Sequence, residues 1–418
     1  MIKVNCFANR SIESLGKGKT TKMPTPRYSF TNKQSASNKM PRRINRNLIF
    51  NQIRTRQPVS RADLARVSGL QRSTVSLIVE ELLAERWIVE GPRGRLPRGR
   101  RPTFLNLNGQ RGVLALDVHP SQTTMAVTDL GGKILAQRVM VLPANPQKVV
   151  GAIVDAIQKM MASHRDRSFD GIGMSLPGRF DLQAEKSNSR KRELTKQIFA
   201  PNIDWPIGQL KSRVEEATGL PVVVDNVANA CALSEVWFGY SDGVHDLVVV
   251  NVSEGLGTGI FANGRILRGE GGYAGEFGHV QVDPNGLPCG CGSRGCWETV
   301  ASNRAGMRYY AESAGQPSPA FEALLKLAEE GDLPARQAID KMCVALGRGM
   351  HMIASALAPS EIVVVGDITN LWHLVGPLVE AEMRRNPLVR IPKLRPAHEG
   401  SKARLRSAVA LVMNENSL

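Results

Sequence analysis

GHVQVDPNGLPCGCGSRGCWE, residues 278–298, places three of the chain's six cysteines within eight positions, behind a histidine and ahead of a glutamate. Cys289, Cys291 and Cys296 sit in a glycine-rich turn that can wrap a small ion, and His279 lies ten residues before Cys289. Three thiolates and one imidazole are the donor set of a closed, tetrahedral Cys3His zinc site. A structural disulfide fits less well: three close cysteines leave one unpaired, and disulfides are rare in the cytosol. Redox chemistry and a bare tight turn are the competing explanations. Cys6, Cys231 and Cys343 stand alone, the first as a tail residue and the other two as small core fillers.

Around this stretch, the 418 residues suffice for two to four compact units. No run of about 18 apolar residues occurs, and the first 30 residues hold no hydrophobic signal segment, so a cytoplasmic protein without membrane contact is expected. Charge is unevenly placed. Residues 1–110 carry 22 Lys+Arg against 6 Asp+Glu, whereas the remainder carries 32 of each, so the whole net charge of +16 belongs to the first quarter. A basic segment on a neutral body points to a polyanion-binding module fused to something else, with a solvated basic tail as the plain alternative.

Residues 1–44 are rich in Ser, Asn, Thr and Lys without an apolar period, which predicts a disordered basic tail; Met23 or Met40 could equally be the start. Residues 45–108 take on helical spacing. From RGVLALDV (111–118) onward, strand-like runs such as TTMAVTDL, GIGMSLP, PVVVDN, LVVVNV and EIVVVGD alternate with helical stretches, the pattern of an α/β body.

Within VSRADLARVSGLQRSTVSLIVEELLAERWIVE (59–90), Ser60 and Asp63 form a capping-box pattern that starts a helix at Arg61, with Leu64, Ala65 and Val67 on its inner face. Gly69 falls where two helices must turn sharply, and Leu70 packs that turn. A second helix from about Arg72 buries Val75, Ile78, Val79 and Leu82. Gln71, Arg72, Ser73, Thr74 and Ser76 are left at its outward N-terminal end, where a helix-turn-helix reaches base edges and phosphates of double-stranded DNA. WIVEGPRGRLPRGRRPTFLNLN (87–108) then predicts two short strands around an arginine-rich wing tip, offering Arg93, Arg95, Arg98, Arg100 and Arg101 to phosphates or a minor groove. An ordinary helical hairpin used for packing is the bland alternative.

GGYAGEFGHVQVDPNGLPCGCGSRGCWETVAS (271–302) resembles the signature of the ROK family, which contains sugar kinases and sugar-responsive repressors. The resemblance extends through SLPGRFD (175–181), PNIDW (201–205), GLPVVVDNVANACALSEVWFG (219–239), NVSEGLGTGIFANGRILRG (251–269) and EIVVVGD (361–367). It implies a winged helix-turn-helix over 45–108 followed by an actin-like, hexokinase-type body. That body would have a small lobe over 109–226, completed by a C-terminal helix in 401–418, and a large lobe over 227–400 with the zinc knuckle. By the family pattern, Asn226, Glu276, His279 and Glu298 would contact the hydroxyls of a sugar or sugar-phosphate effector. His279 has two ring nitrogens, so one can hold zinc while the other faces the ligand.

The resemblance also separates sensor from kinase. ROK kinases carry a catalytic aspartate directly after the asparagine, to take the proton of the attacking hydroxyl; here Asp225 and Asn226 are followed by Val227. The phosphate loops depart in parallel. A D-x-G-G-T turn is replaced by DVHPSQTT (117–124), and Ser253-Glu254-Gly255 and Gly366-Asp367-Ile368 stand where G-T-G and G-G-G are usual. The expectation is a sugar-responsive, non-enzymatic repressor acting as a homodimer or homotetramer. An ATP-dependent sugar kinase with an accessory DNA-binding domain is the alternative, and a body that docks a protein partner is a third possibility.

Overall fold

The computed structural model describes residues 39–93, 102–120, 122–180, 198–199, 203–239, 246–385, 390–397 and 400–416. Arg43–Leu418 gathers into one compact unit. Its first part comprises α1 (Lys39–Arg56), β1 (Val59–Ser60), α2 (Arg61–Ser68), α3 (Arg72–Ala84), β2 (Ile88–Arg93) and β3 (Thr103–Leu107), with a small antiparallel sheet in the order β1-β3-β2. Helix α1 corrects the predicted tail, because it begins at Lys39 rather than after residue 44. Pro41 falls in its first turn, where the missing N–H costs no helical hydrogen bond. The capping box forms: Asp63 N donates to Ser60 Oγ at 3.2 Å, and Ser60 N faces Asp63 Oδ2 at 3.4 Å. Gly69 ends α2 at φ 69°, the left-handed geometry that glycine adopts without strain. Val67, however, is 39% exposed, so Leu64 alone is buried on α2 while Ala65 and Leu70 pack at the core margin.

The body holds two mixed sheets. The first contains β4 (Arg111–Val118), β5 (Gln122–Asp129), β6 (Ile134–Val141), β7 (Ser168–Leu176) and, beyond the short pair β8 (Arg179–Phe180) and β9 (Ile198–Phe199), β10 (Val222–Asn226); its order is β10-β7-β4-β5-β6. Alternation along β4 splits its side chains between two faces. Leu114, Leu116 and Val118 meet α4 (Pro146–Ala162) and α5 (Leu210–Thr218), while Val113 and Ala115 face the other layer. After α6 (Val227–Phe238), the second sheet contains β11 (Leu247–Val252), β12 (Leu256–Ala262), β13 (Arg265–Ile266), β14 (Glu361–Val365) and β15 (Lys393–Pro396), in the order β13-β12-β11-β14-β15. Its outer face is covered from α7 (Glu298–Ala301), α8 (Asn303–Ala314), α9 (Phe321–Glu330), α10 (Leu333–Leu357) and α11 (Trp372–Met383).

Between the sheets lie α6 and the C-terminal helix α12 (Ala403–Asn416), packed on each other, with α12 against β4 and β7 and α6 against β11 and β12. Each contact is closed by one glycine. A Cβ at Gly173 would lie 1.8 Å from Ala408 O, and one at Gly259 would lie 2.1 Å from Ala228 O, so only a bare backbone lets helix and strand approach this far.

The N-terminal part shares its hydrophobic core with the body. Ile49, Phe50 and Ile53 of α1 belong to one buried cluster with Trp87, Trp237, Phe238 and α12. The Phe50 ring stands edge-on to Trp87 at 5.7 Å and to Trp237 at 6.5 Å. Arg111 stacks over Trp87 at 4.0 Å and donates to Glu85 O at 2.6 Å.

Candidate functional site

A cleft opens among the first turn of α6, the β11–β12 turn and the loop before α7. Asn226, Glu276, His279 and Glu298 all line it, as does Val227. Asn226 caps α6: its Oδ1 accepts from Ala228 N at 2.8 Å, and its Nδ2 donates to Gly178 O at 2.6 Å. Its amide is thus fixed in orientation with one N–H left over. Glu298 Oε2 accepts from Leu256 N at 3.1 Å, and Glu276 Oε2 lies 3.7 Å from His279 Nε2. Desolvation raises the Glu276 carboxyl above the ordinary range, against the pull of His279 and Arg179. Among the cleft residues that the sequence analysis did not single out are two asparagines. Asn229 and Asn251 are buried, and their Oδ1 atoms find no hydrogen-bond partner among the described residues. Buried polar atoms are nearly always satisfied, so these two acceptors, beside two carboxylates, suit a ligand rich in hydroxyl donors.

His279 joins this wall to a second site. Its Nδ1 lies 3.5 Å from Cys289 Sγ, Cys291 Sγ lies 3.7 Å from Cys296 Sγ, and the ligand atoms of all four residues fall within 4.8 Å of one another. Metal–sulfur bonds of about 2.3 Å give a tetrahedron with edges of about 3.8 Å, so the set fits a metal ion. Desolvation pushes the Cys289 thiol up to about 12, and a bound cation would reverse that cost. Trp297, fully buried between Cys296 and Glu298, donates from Nε1 to Ala345 O at 2.8 Å and moors the loop to α10.

The opposite end of the cleft is occupied by charges that satisfy each other. Arg404, buried on α12, donates to Asp117 Oδ2 at 3.1 Å from Nε and to Oδ1 at 3.1 Å from Nη2. His119 Nε2 lies 3.0 Å from Asp117 Oδ2, and its Nδ1 lies 3.6 Å from Glu254 Oε1. Burial works against ionised Asp117, yet Arg404 and His119 hold its carboxyl well below the usual range. Burial and Arg404 likewise oppose a charged His119, but the hydrogen bond to Asp117 and the nearby Glu254 carboxylate prevail and raise it to about 8. The neighbouring His119 brings Glu254 down to about 2. Asp225 is bound elsewhere: buried on β10, it receives both Arg268 Nη1 at 2.8 Å and Nη2 at 2.5 Å.

Residues 113–415 match the ROK family. The chain belongs to the ROK family. Among ROK proteins it is 30% identical to the xylose repressor of Bacillus subtilis, over 82% of this chain and 87% of that protein. It is 34% identical to the glucokinase of Streptomyces coelicolor, over 65% of this chain and 87% of that protein. The crystal structure of a ROK family transcriptional regulator, a homologue of the E. coli MLC protein, superposes with a TM-score of 0.71 at 26% identity and covers 90% of this chain and 97% of that one. Such coverage cannot be contained in the ROK body alone and includes part of the segment before it.

In that N-terminal segment, Gln71, Arg72 and Ser73 are exposed at the start of α3, whereas Thr74 and Ser76 are half-buried, less outward than their sequence positions suggest. Val75, Ile78, Val79 and Leu82 form the buried face, as the spacing predicts. β2 and β3 pair antiparallel on either side of the arginine-rich stretch. Arg95, Arg98, Arg100 and Arg101 lie outside the described residues. No helix among the described residues is long and apolar enough to cross a membrane.

Proposed function

We propose that this ROK protein is a sugar-responsive transcriptional repressor that binds operator DNA through a winged helix-turn-helix and transfers no phosphoryl group. The observation that carries this is the course of α6. Its first turn, with Asn226 and Asn229, lines the cleft, and its last residues, Trp237 and Phe238, pack against Phe50 and Arg54 of α1. One rigid helix therefore joins the ligand to the DNA-binding end, so a ligand that shifts one lobe against the other must also bias the N-terminal unit.

Asn226, Glu276, His279 and Glu298 would hold the sugar, with Asn229 and Asn251 supplying further acceptors. The Cys3His set suits structural zinc: His279, Cys289, Cys291 and Cys296 would hold it, and the ion would fix the loop that carries Glu276 and Glu298. Gln71, Arg72, Ser73, Thr74 and Ser76 would lie at the major groove, Arg72 on a phosphate at its edge, with Arg98, Arg100 and Arg101 of the wing also on the backbone. Two copies bind half-sites about 34–36 Å apart or a multiple of this, which calls for a homodimer or homotetramer in the cytoplasm. The working division is a winged unit over 45–108, a small lobe over 109–226 completed by α12, and a large lobe over 227–400.

A sugar that loosens the operator complex is coupled to it by about 1–3 kcal/mol, and DNA weakens sugar binding by the same factor. Operator footprinting during titration with a panel of sugars tests this. Glu298→Ala should bind DNA normally and lose the sugar response; an undiminished response in that variant refutes the pocket. The glucokinase relationship favours one further possibility, phosphoryl transfer. Val227 has no proton-accepting atom, and Asp225 is committed to Arg268. Coupled turnover with ATP and hexoses decides it, and a rate abolished by Asp225→Asn would establish a kinase.

A further inference from the structure

Opposite the buried stripe of α3, Ser73, Leu77 and Glu80 follow one another at spacings of four and three residues, the geometry of a single helix face. Leu77 is 66% exposed, a large apolar side chain in the middle of an otherwise polar surface. Its neighbours there have other tasks. Glu80 receives Arg61 Nη2 at 3.1 Å, and the same guanidinium also holds Glu90 at 3.0 Å, so the Glu80 carboxylate is turned to Arg61 and its charge is offset in part. This face also belongs to the quarter of the chain that carries all the net positive charge. Among the groups that base pairs expose in the major groove, one is apolar: the 5-methyl of thymine.

We infer that Leu77 is a specificity-determining residue that covers a thymine 5-methyl group in each operator half-site. The inference rests on the helix-turn-helix assignment above and adds to it a chemical identity at one base pair. Arg72 and the wing supply sequence-independent attraction to phosphates, whereas Leu77 supplies discrimination without a hydrogen bond. Removing water from one methyl group and the leucine surface above it predicts an effect of about fourfold per half-site.

Duplexes selected by the purified full chain from a random pool are resynthesised with deoxyuridine replacing each thymine in turn, symmetrically in both half-sites. Pairing and hydrogen-bonding groups stay the same and only the methyl is lost. At one position per half-site the affinity should fall about fourfold for each methyl removed. Leu77→Ala should bind the thymine duplex as weakly as the unaltered chain binds the uracil one, and should lose nothing more on uracil, since the two changes delete the same contact. Leu77→Ser, equally free of core contacts, should behave the same way. Uracil without effect at every position, or an unchanged penalty in Leu77→Ala, overturns the inference. Arg72→Ala keeps the two levels apart, because it should weaken all duplexes evenly and flatten the salt dependence. If Arg72→Ala does so while uracil has no effect, Leu77 alone is misassigned. If no duplex is selected at all, the inference falls together with the DNA-binding assignment.

Discussion

The two ends of the cleft are built on opposite principles. At the end beside the cysteine cluster stand Glu276 and Glu298, and the cleft wall also holds Asn229 and Asn251, whose buried acceptors have no partner among the described residues. At the other end, Asp117, Arg404, His119 and Glu254 have consumed one another's charge. Polar groups left unsatisfied in a folded protein are costly, and they persist where a ligand completes them. Groups that complete each other have nothing left for a ligand. On the repressor reading proposed above, the contrast teaches that paired charges at one end of a cleft leave the other end to take the ligand.

The severest way to break the contrast is to unpair the closed end. Arg404→Met leaves Asp117 as a buried carboxylate without its cation, and the expected loss of unfolding free energy is about 3–5 kcal/mol. Chemical denaturation measures it; an unchanged midpoint would mean that the network holds nothing together. The closed end should also respond to pH through His119. Its folded value of about 8 lies above the ordinary 6.5, so its contribution is fully present below pH 6.5 and disappears as pH rises through 8. Stability should fall by about 1–2 kcal/mol over that interval. His119→Gln should abolish this part of the pH profile, and a profile the variant shares with the parent would remove His119 from the network. The gentlest test sharpens the comparison at the cleft mouth, where Arg179 stacks over Tyr273 at 3.6 Å. Tyr273→Ala should cost about 0.5–1 kcal/mol of stability and leave the pH profile of the closed end untouched. A changed profile would mean that the two ends are not independent.

Much of the fold was legible because it repeats. Strand runs such as VLALDV and LVVVNV announce themselves by composition, and the α3 stripe by its 3.6-residue period. The donor atoms of the metal cluster were legible because they lie close in sequence. What escaped was long-range or broke the pattern. Asp117 and Arg404 are 287 residues apart, and nothing local marks either as the other's partner. DVHP departs from the phosphate turn of the resemblance, and nothing in its sequence announces that His119 lies beside both Asp117 and Glu254. Val67 satisfies the apolar spacing of α2 yet is exposed, because so short a helix buries just one turn's worth of side chain. Leu77 violates the apolar–polar alternation, and a violation cannot be told from noise until the face it occupies is known.

The aromatic contact of Phe50 with Trp87 and Trp237 carries a practical corollary for evolution and engineering. The N-terminal helices cannot be swapped between relatives as a cassette cut near residue 108, because such a cut splits a single oil drop and bares tryptophan on both halves. A successful chimera must import the matching end of α6 together with the helices. A chain stripped of its N-terminal helices must therefore change that patch of the body as well.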